Sequence, residues 1–289
     1  MVYITEMAVL LVYCHICDKF ALILCSMISK VEKVSFYSKI LGKDVQMLVY
    51  LPEGYNEITP LPVLYFLHGR SGDEHIMFEL EINTKADSLI SNGEIGPMII
   101  VCPRIENSRG LNSSLVSEEV PDAGYGNGII NLGRYEDYFM DEVVPLIDSK
   151  FNTIKDRNGR YVGGASAGGY AALHYAFRHQ DMFSKVGGHM PAIELELAEE
   201  DRPYFKDMDV WDKYDPICIA RNNRISNDLC VYLDAGDKDE GRFYEGCSVL
   251  HKILKEKGVN SENHVFSGHH NAEYIKSNME KYLIFYNKR

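Results

Sequence analysis

The sequence predicts an α/β fold with a mostly parallel central sheet of about eight strands and helices on both faces. Three observations carry that reading. Continuous apolar runs such as Val63-Leu64-Tyr65-Phe66-Leu67 and Met98-Ile99-Ile100-Val101 suit strands buried on both faces. These runs take turns with helical patterns along the chain, as a parallel sheet with crossover helices requires. A G-x-S-x-G segment, Gly164-Ala165-Ser166-Ala167-Gly168, joins the strand-like residues 160–163 to the helix-like residues 168–177. A serine on such a sharp turn has its hydroxyl pushed out of the sheet, and the flanking glycines are needed where a side chain would meet neighbouring backbone.

In chain order, residues 31–38 and 45–51 alternate in polarity and read as paired early strands. The runs 63–67 and 98–101 follow. Tyr161-Val162 leads into the serine turn, 183–186 reads as a short strand, 229–233 as another, and 264–266 as the last. Helices are expected at 134–150, with Tyr138, Val143, Val144 and Ile147 at helical spacing, and at 243–257, with Val249, Leu250, Ile253 and Leu254. A third, 274–286, carries Ile275, Met279, Tyr282, Leu283 and Phe285. Two segments break the rhythm. Residues 103–133 are polar and Gly-rich, and 191–227 mix acids and aromatics with Pro203 and Pro216. Excursions of that length in an α/β domain are usually functional loops or lids.

With 289 residues, 46% hydrophobic and 25% charged, the chain suits one large domain, assigned to residues 27–289. A net charge of -12 argues against nucleic acid or an anionic membrane as partner, since neutralising phosphates takes clustered Lys and Arg. The seven cysteines are an odd number, with Cys102 and Cys230 in apolar runs. No disulfide framework is indicated, so a reducing, cytoplasmic compartment is the expectation. Residues 1–26 are expected to be an extension outside the fold, with Met27 as the natural start. Their apolar stretch is broken by His15, Asp18 and Lys19 and falls short of the roughly 20 residues of a membrane span. Glu6, with no Lys or Arg before Met7, fits a signal peptide poorly. Cys14 and Cys17 have C-x-x-C spacing, but no second pair completes a zinc site.

A serine hydroxyl is a weak nucleophile, and needs a base to take its proton and a carboxylate to orient the base. After the strand at 229–233 comes Asp234-Ala235-Gly236-Asp237-Lys238-Asp239-Glu240. After the strand at 264–266 comes Ser267-Gly268-His269-His270-Asn271. The order serine, acid, histidine, with both partners on loops after later strands, suits nucleophilic catalysis at one sheet edge.

These motifs carry a resemblance. Tyr65-Phe66-Leu67-His68-Gly69, Gly164 to Gly169, Gly236-Asp237-Lys238-Asp239, Ser267-Gly268-His269 and Trp211 with Asp215-Pro216 resemble the putative-esterase family of α/β-hydrolases. That is the group of esterase D, feruloyl esterases, siderophore esterases and mycolyltransferases, and the resemblance runs from Val31 to the C-terminus. It implies an α/β-hydrolase fold and a serine esterase acting on a small-molecule ester. The family's acid closes a G-x-x-D turn, which implies Asp239, with Asp237 and Asp234 as alternatives. Its base follows a Gly-Gly pair, which implies His269, although Ser267 replaces the first glycine; His270 is expected to point elsewhere. The oxyanion donors are expected to be the backbone N–H groups of Ala167, next to the nucleophile, and, from the resemblance, Arg70. His68 reads as a loop-shaping residue. Tyr125, Tyr204 and Trp211 are candidates to stack on a substrate or to pack a lid. Acyl transfer to a sugar or alcohol acceptor and a non-catalytic binding module are the alternatives, and no metal or organic cofactor is implied.

Overall fold

The computed structural model describes residues 28–122, 124 and 128–288, so the expectations for residues 1–26 and for Tyr125 lie outside the described residues. The chain opens with β1 (Lys30–Ser38) and β2 (Lys43–Leu51), an antiparallel hairpin in register from Lys30 opposite Leu51 to Ser38 opposite Lys43. Then come β3 (Val63–Leu67) and β4 (Ile99–Pro103), with a smaller hairpin of β5 (Glu118–Asp122) and β6 (Gly128–Leu132). The remaining strands are β7 (Arg160–Ala165), β8 (Lys185–His189), β9 (Cys230–Gly236) and β10 (Asn260–Phe266). Among the described residues, eight strands form the central sheet in the order β1-β2-β4-β3-β7-β8-β9-β10, parallel from β4 onward, with β5-β6 standing apart.

Helices cover both faces. They are α1 (Ile82–Ser91), α2 (Val144–Lys150, entered through a π-helical turn at Tyr138–Val143), α3 (Ala167–Arg178), α4 (Met208–Tyr214), α5 (Pro216–Asn222), α6 (Phe243–Glu256) and α7 (Ala272–Asn287). The core splits in two because successive side chains of a strand point to opposite faces. Val63, Tyr65 and Leu67 of β3 join the cluster under α3, α5 and α6, while Leu64 and Phe66 join the cluster under α1 and α7. In β4, Ile99 and Val101 divide from Ile100 and Cys102 in the same way. The apolar runs are therefore unbroken because neither face of these strands meets water.

The eight-strand sheet and the long helices agree with the sequence reading, but β8 does not begin where its apolar pattern does. It runs from Lys185 through Gly187 and Gly188 to His189, later than the expected 183–186. The two glycines look like a strand breaker, yet side chains of α7 and α3 press directly on them. A Cβ at Gly187 would lie 2.1 Å from the Tyr286 hydroxyl, and one at Gly188 would lie 2.8 Å from Leu173. The short helices α1, α4 and α5 and the β5-β6 hairpin were not expected either. Among the described residues, Cys102, Cys218, Cys230 and Cys247 are free thiols, and no helix is long and apolar enough to cross a membrane.

One buried polar cluster ties the C-terminal half of the sheet together. The Asp234 carboxylate, at the end of β9, is fully buried. It accepts hydrogen bonds from Tyr274 Oη at 2.8 Å and Tyr282 Oη at 2.7 Å on α7, and from His189 Nδ1 at 3.1 Å on β8. Burial pushes the His189 pKa down against the pull of Asp234, and its Nε2 lies 3.0 Å from Tyr286 Oη. A buried donor left without its acceptor costs about 1–3 kcal/mol. Asp234→Ala orphans three donors, so we expect a loss of at least about 3 kcal/mol in urea unfolding. Tyr286→Phe, which removes one hydroxyl from the cluster, should cost about 1 kcal/mol.

Candidate active site

Ser166 sits between β7 and α3 with φ 54° and ψ -118°, a left-handed backbone that a non-glycine residue adopts only when its surroundings hold it there. The Ser166 N–H donates to the His189 carbonyl at 3.0 Å, and its own carbonyl accepts from Tyr170 at 3.0 Å and Ala192 at 3.1 Å. The neighbouring glycines are required by close approach. A Cβ at Gly164 would lie 2.6 Å from the Leu67 carbonyl oxygen, and one at Gly168 would lie 2.3 Å from the same oxygen. The start of α3 thus rests directly on the end of β3.

The serine hydroxyl meets a histidine, but not the one expected. His270 Nε2 is 2.9 Å from Ser166 Oγ, and His270 Nδ1 is 2.8 Å from Asp239 Oδ2. With Nδ1–H directed at the carboxylate, Nε2 is left to accept the serine proton, so the hydrogen bonds fix the tautomer. His269, the residue favoured by the sequence, turns outward, where its Nδ1 lies 2.7 Å from Glu240 Oε1. That hydrogen bond is the main reason the Glu240 carboxyl is held down at about 2. The physical cause is the clamp on Gly268. Its N–H donates to Asp237 Oδ1 at 2.9 Å, its carbonyl accepts from Lys238 N at 2.9 Å, and its backbone packs against Tyr274 at φ 154°. Held there, the chain presents residue 269 to solvent and residue 270 to the serine. Asn271 caps α7 by accepting from Tyr274 N at 3.0 Å, so His270 is the last residue before the capped helix, a position the sequence alone marks without fixing where its ring points.

The crowded acids take separate positions. Asp239 is buried, faces His270 with one oxygen and accepts from Gly241 N at 2.8 Å with the other. Asp237 holds Gly268, and Asp234 serves the buried cluster beneath.

The serine opens into a cleft of about 750 Å³, lined by Gly69, Arg70, Ser166, Ala167, His270 and Glu194 among others. Ala167 is the first residue of α3, so its N–H has no acceptor within the helix. The Gly69-Arg70 loop comes close beside it, since a Cβ at Gly69 would lie 3.4 Å from Ser166 Cβ. His68, almost fully buried, bonds the Gly69 carbonyl through Nδ1 at 2.9 Å and accepts from Ile105 N at 3.0 Å through Nε2. The Arg70 side chain is anchored away from the serine, with Nε 2.9 Å from Asp122 Oδ2 and Nη1 3.7 Å from Asp201.

The expectation for Trp211 is corrected. It lies on α4, buried in the core beside Tyr214, and does not line the cleft. Tyr204 is also buried, hydrogen-bonded to Asn107 and packed against the Arg109 guanidinium at 5.4 Å.

The family described as "Putative esterase" matches residues 38–286. The chain belongs to that esterase family. An endo-1,4-β-xylanase/feruloyl esterase of Xylanibacter ruminicola is 30% identical over 239 residues. The match takes in 78% of this chain but 29% of the relative, so the chain spans less than a third of that protein's length. A solved ferulic acid esterase superposes with a TM-score of 0.76 at 24% identity, covering 90% of this chain and 98% of its own. An S-formylglutathione hydrolase from Agrobacterium tumefaciens gives 0.72 at 17% identity, covering 90% and 95%. At these identities the two structures establish the shared α/β-hydrolase fold.

In this member of the family the two excursions meet to form one cleft wall. Arg109, from the first, is buried and ion-paired with Asp201 from the second, and lies 3.5 Å from Glu194. Burial, aided by Asp201 and opposed by Arg109, pushes the Glu194 carboxyl up to about 8. The folded protein therefore holds a proton that the unfolded chain, near 4.5, releases. Stability from this group is complete below about 4.5 and is lost as pH rises towards 8. Urea unfolding midpoints should fall over that interval, and the decline should be shallower in Glu194→Gln.

Proposed function

We propose that this chain hydrolyses carboxylic esters through an acyl-enzyme, with Ser166 as nucleophile, His270 as base and Asp239 as the acid that orients it. The observation that carries this reading is the hydrogen-bonded run Ser166–His270–Asp239, 2.9 and 2.8 Å long, at the floor of an open cleft. Membership of the esterase family supports it.

Ser166 Oγ attacks the ester carbonyl as His270 Nε2 takes its proton, and Asp239 stabilises the imidazolium. The oxyanion lies against the N–H groups of Ala167 and Arg70, which are placed before the charge develops. Collapse of the tetrahedral species breaks the bond to the alcohol oxygen, which leaves with the proton from His270. Water, activated by the same imidazole, then adds to the acyl carbonyl and releases the acid and Ser166.

The substrate we favour is a feruloyl ester, the activity named for the Xylanibacter relative. The cleft supports an uncharged acyl group. Glu79, Glu200 and Glu240 line it beside the protonated Glu194, while Arg70 and Arg109 are ion-paired to aspartates, so an anionic substrate would meet repulsion. A cleft of about 750 Å³ is ample for a methoxyphenyl-propenoyl group.

Ser166→Ala and His270→Ala should each lower kcat on methyl ferulate by about 10⁴-fold or more. His269→Ala should change it by less than about tenfold, because its ring bonds only a surface carboxylate. Full loss in His269→Ala with activity kept in His270→Ala would reverse the assignment. Turnover of p-nitrophenyl acetate without methyl ferulate would leave the esterase mechanism intact and discard the feruloyl substrate.

A further inference from the structure

Asp73-Glu74-His75 lies between Gly72 and Ile76, both of which line the cleft, but its side chains take no part in the serine chemistry. Arg104 engages one oxygen of each carboxylate, with Nη2 2.8 Å from Asp73 Oδ2 and Nε 2.7 Å from Glu74 Oε2. The other two oxygens turn towards His75. Its Nδ1 is 2.9 Å from Asp73 Oδ1 and 3.7 Å from Glu74 Oε1. One donor atom from each of the three residues falls within 4.8 Å of the others.

The distinctive member is Glu74. It is fully buried, and its Oε1 accepts no hydrogen bond. A carboxylate oxygen removed from water and given no donor calls for a cation. Arg104 supplies one positive charge against two carboxylates, which leaves the cluster one charge short of balance. His75 and Asp73 are open to solvent on the other side, which gives an ion a route in and room for water ligands.

We propose that Asp73 Oδ1, Glu74 Oε1 and His75 Nδ1 bind a divalent transition-metal ion, with water completing its coordination. Ligand atoms bound at about 2.0–2.2 Å stand roughly 3–3.5 Å from one another, and the two spacings to His75 Nδ1, 2.9 and 3.7 Å, lie near that range. An imidazole beside two carboxylate oxygens favours Zn²⁺, Co²⁺ or Ni²⁺ over Ca²⁺ and Mg²⁺. The ion has a structural role. It fixes the segment running from the Gly69-Arg70 loop into the one-turn helix Ile76–Glu79, and it is linked through Arg104 and Ile105 to His68.

Titration of the intact chain with Co²⁺, followed by absorbance and by thermal unfolding, tests this independently of ester hydrolysis. We expect one saturable equivalent with weak visible bands, no near-ultraviolet thiolate-to-cobalt band, and a raised Tm. His75→Ala should weaken it at least tenfold while unfolding close to the parent temperature without metal; Asp73→Asn should weaken it as much, with some loss of metal-free stability from the severed Arg104 pair. His270→Ala should bind as tightly as the parent. No saturable equivalent, one that persists in His75→Ala, one that is lost in His270→Ala, or one that carries the thiolate band would overturn the proposal.

Discussion

The close seating of α3 on the end of β3 governs the geometry of the whole site. Two stretches of backbone approach so nearly at Gly164, Gly168 and the Leu67 carbonyl that no side chain fits between them. This contact aims the start of the helix at the cleft, sets the Gly69-Arg70 loop beside it, and forces Ser166 into a backbone conformation costing about 1–3 kcal/mol. The cost is offset by three hydrogen bonds to the Ser166 backbone, two of which come from the strand end at His189 and from Ala192 just beyond it. Ser166 is therefore held by its main chain, and its side chain is left to the His270 imidazole.

The second partner is positioned from below. Asp234 gathers hydrogen bonds from β8 and from two turns of α7, while its own backbone carbonyl accepts from Met190 at 2.9 Å. The strand that supports the serine, the strand that leads to Asp239 and the helix that follows His270 converge on one dry carboxylate. Nothing in that cluster bonds the Ser166 hydroxyl or the His270 ring, but Ser166, Asp239 and His270 all lie close above it.

Much of this was legible in the sequence because strands buried on both faces announce themselves as unbroken apolar runs, and a serine between glycines at a strand–helix junction has few other uses. The choice of Asp239 among the crowded acids came from the family resemblance, whose acid closes a G-x-x-D turn, and not from the local pattern, which left Asp237 and Asp234 open. The histidine was a different problem. His269 and His270 differ by one position in an irregular loop, where orientation is set by a clamp on Gly268 that involves Asp237, thirty-one residues upstream. No local pattern encodes that contact. Gly187 and Gly188 misled for a related reason, since they owe their place in a strand to Tyr286 and Leu173, supplied by two other helices. Trp211 belongs to the core, and aromatic character alone does not separate a packed indole from a stacking platform.

The anchoring of Arg70 has a consequence for how this scaffold can diversify. Its backbone belongs to the inner loop beside Ser166, while its guanidinium is gripped by Asp122 of the small hairpin and Asp201 of the second excursion. Both outer segments are thereby wired to the floor of the cleft. Grafting a foreign hairpin or lid onto this framework to alter which esters it admits would cut those tethers, unless the transplanted loops brought carboxylates to the same two points.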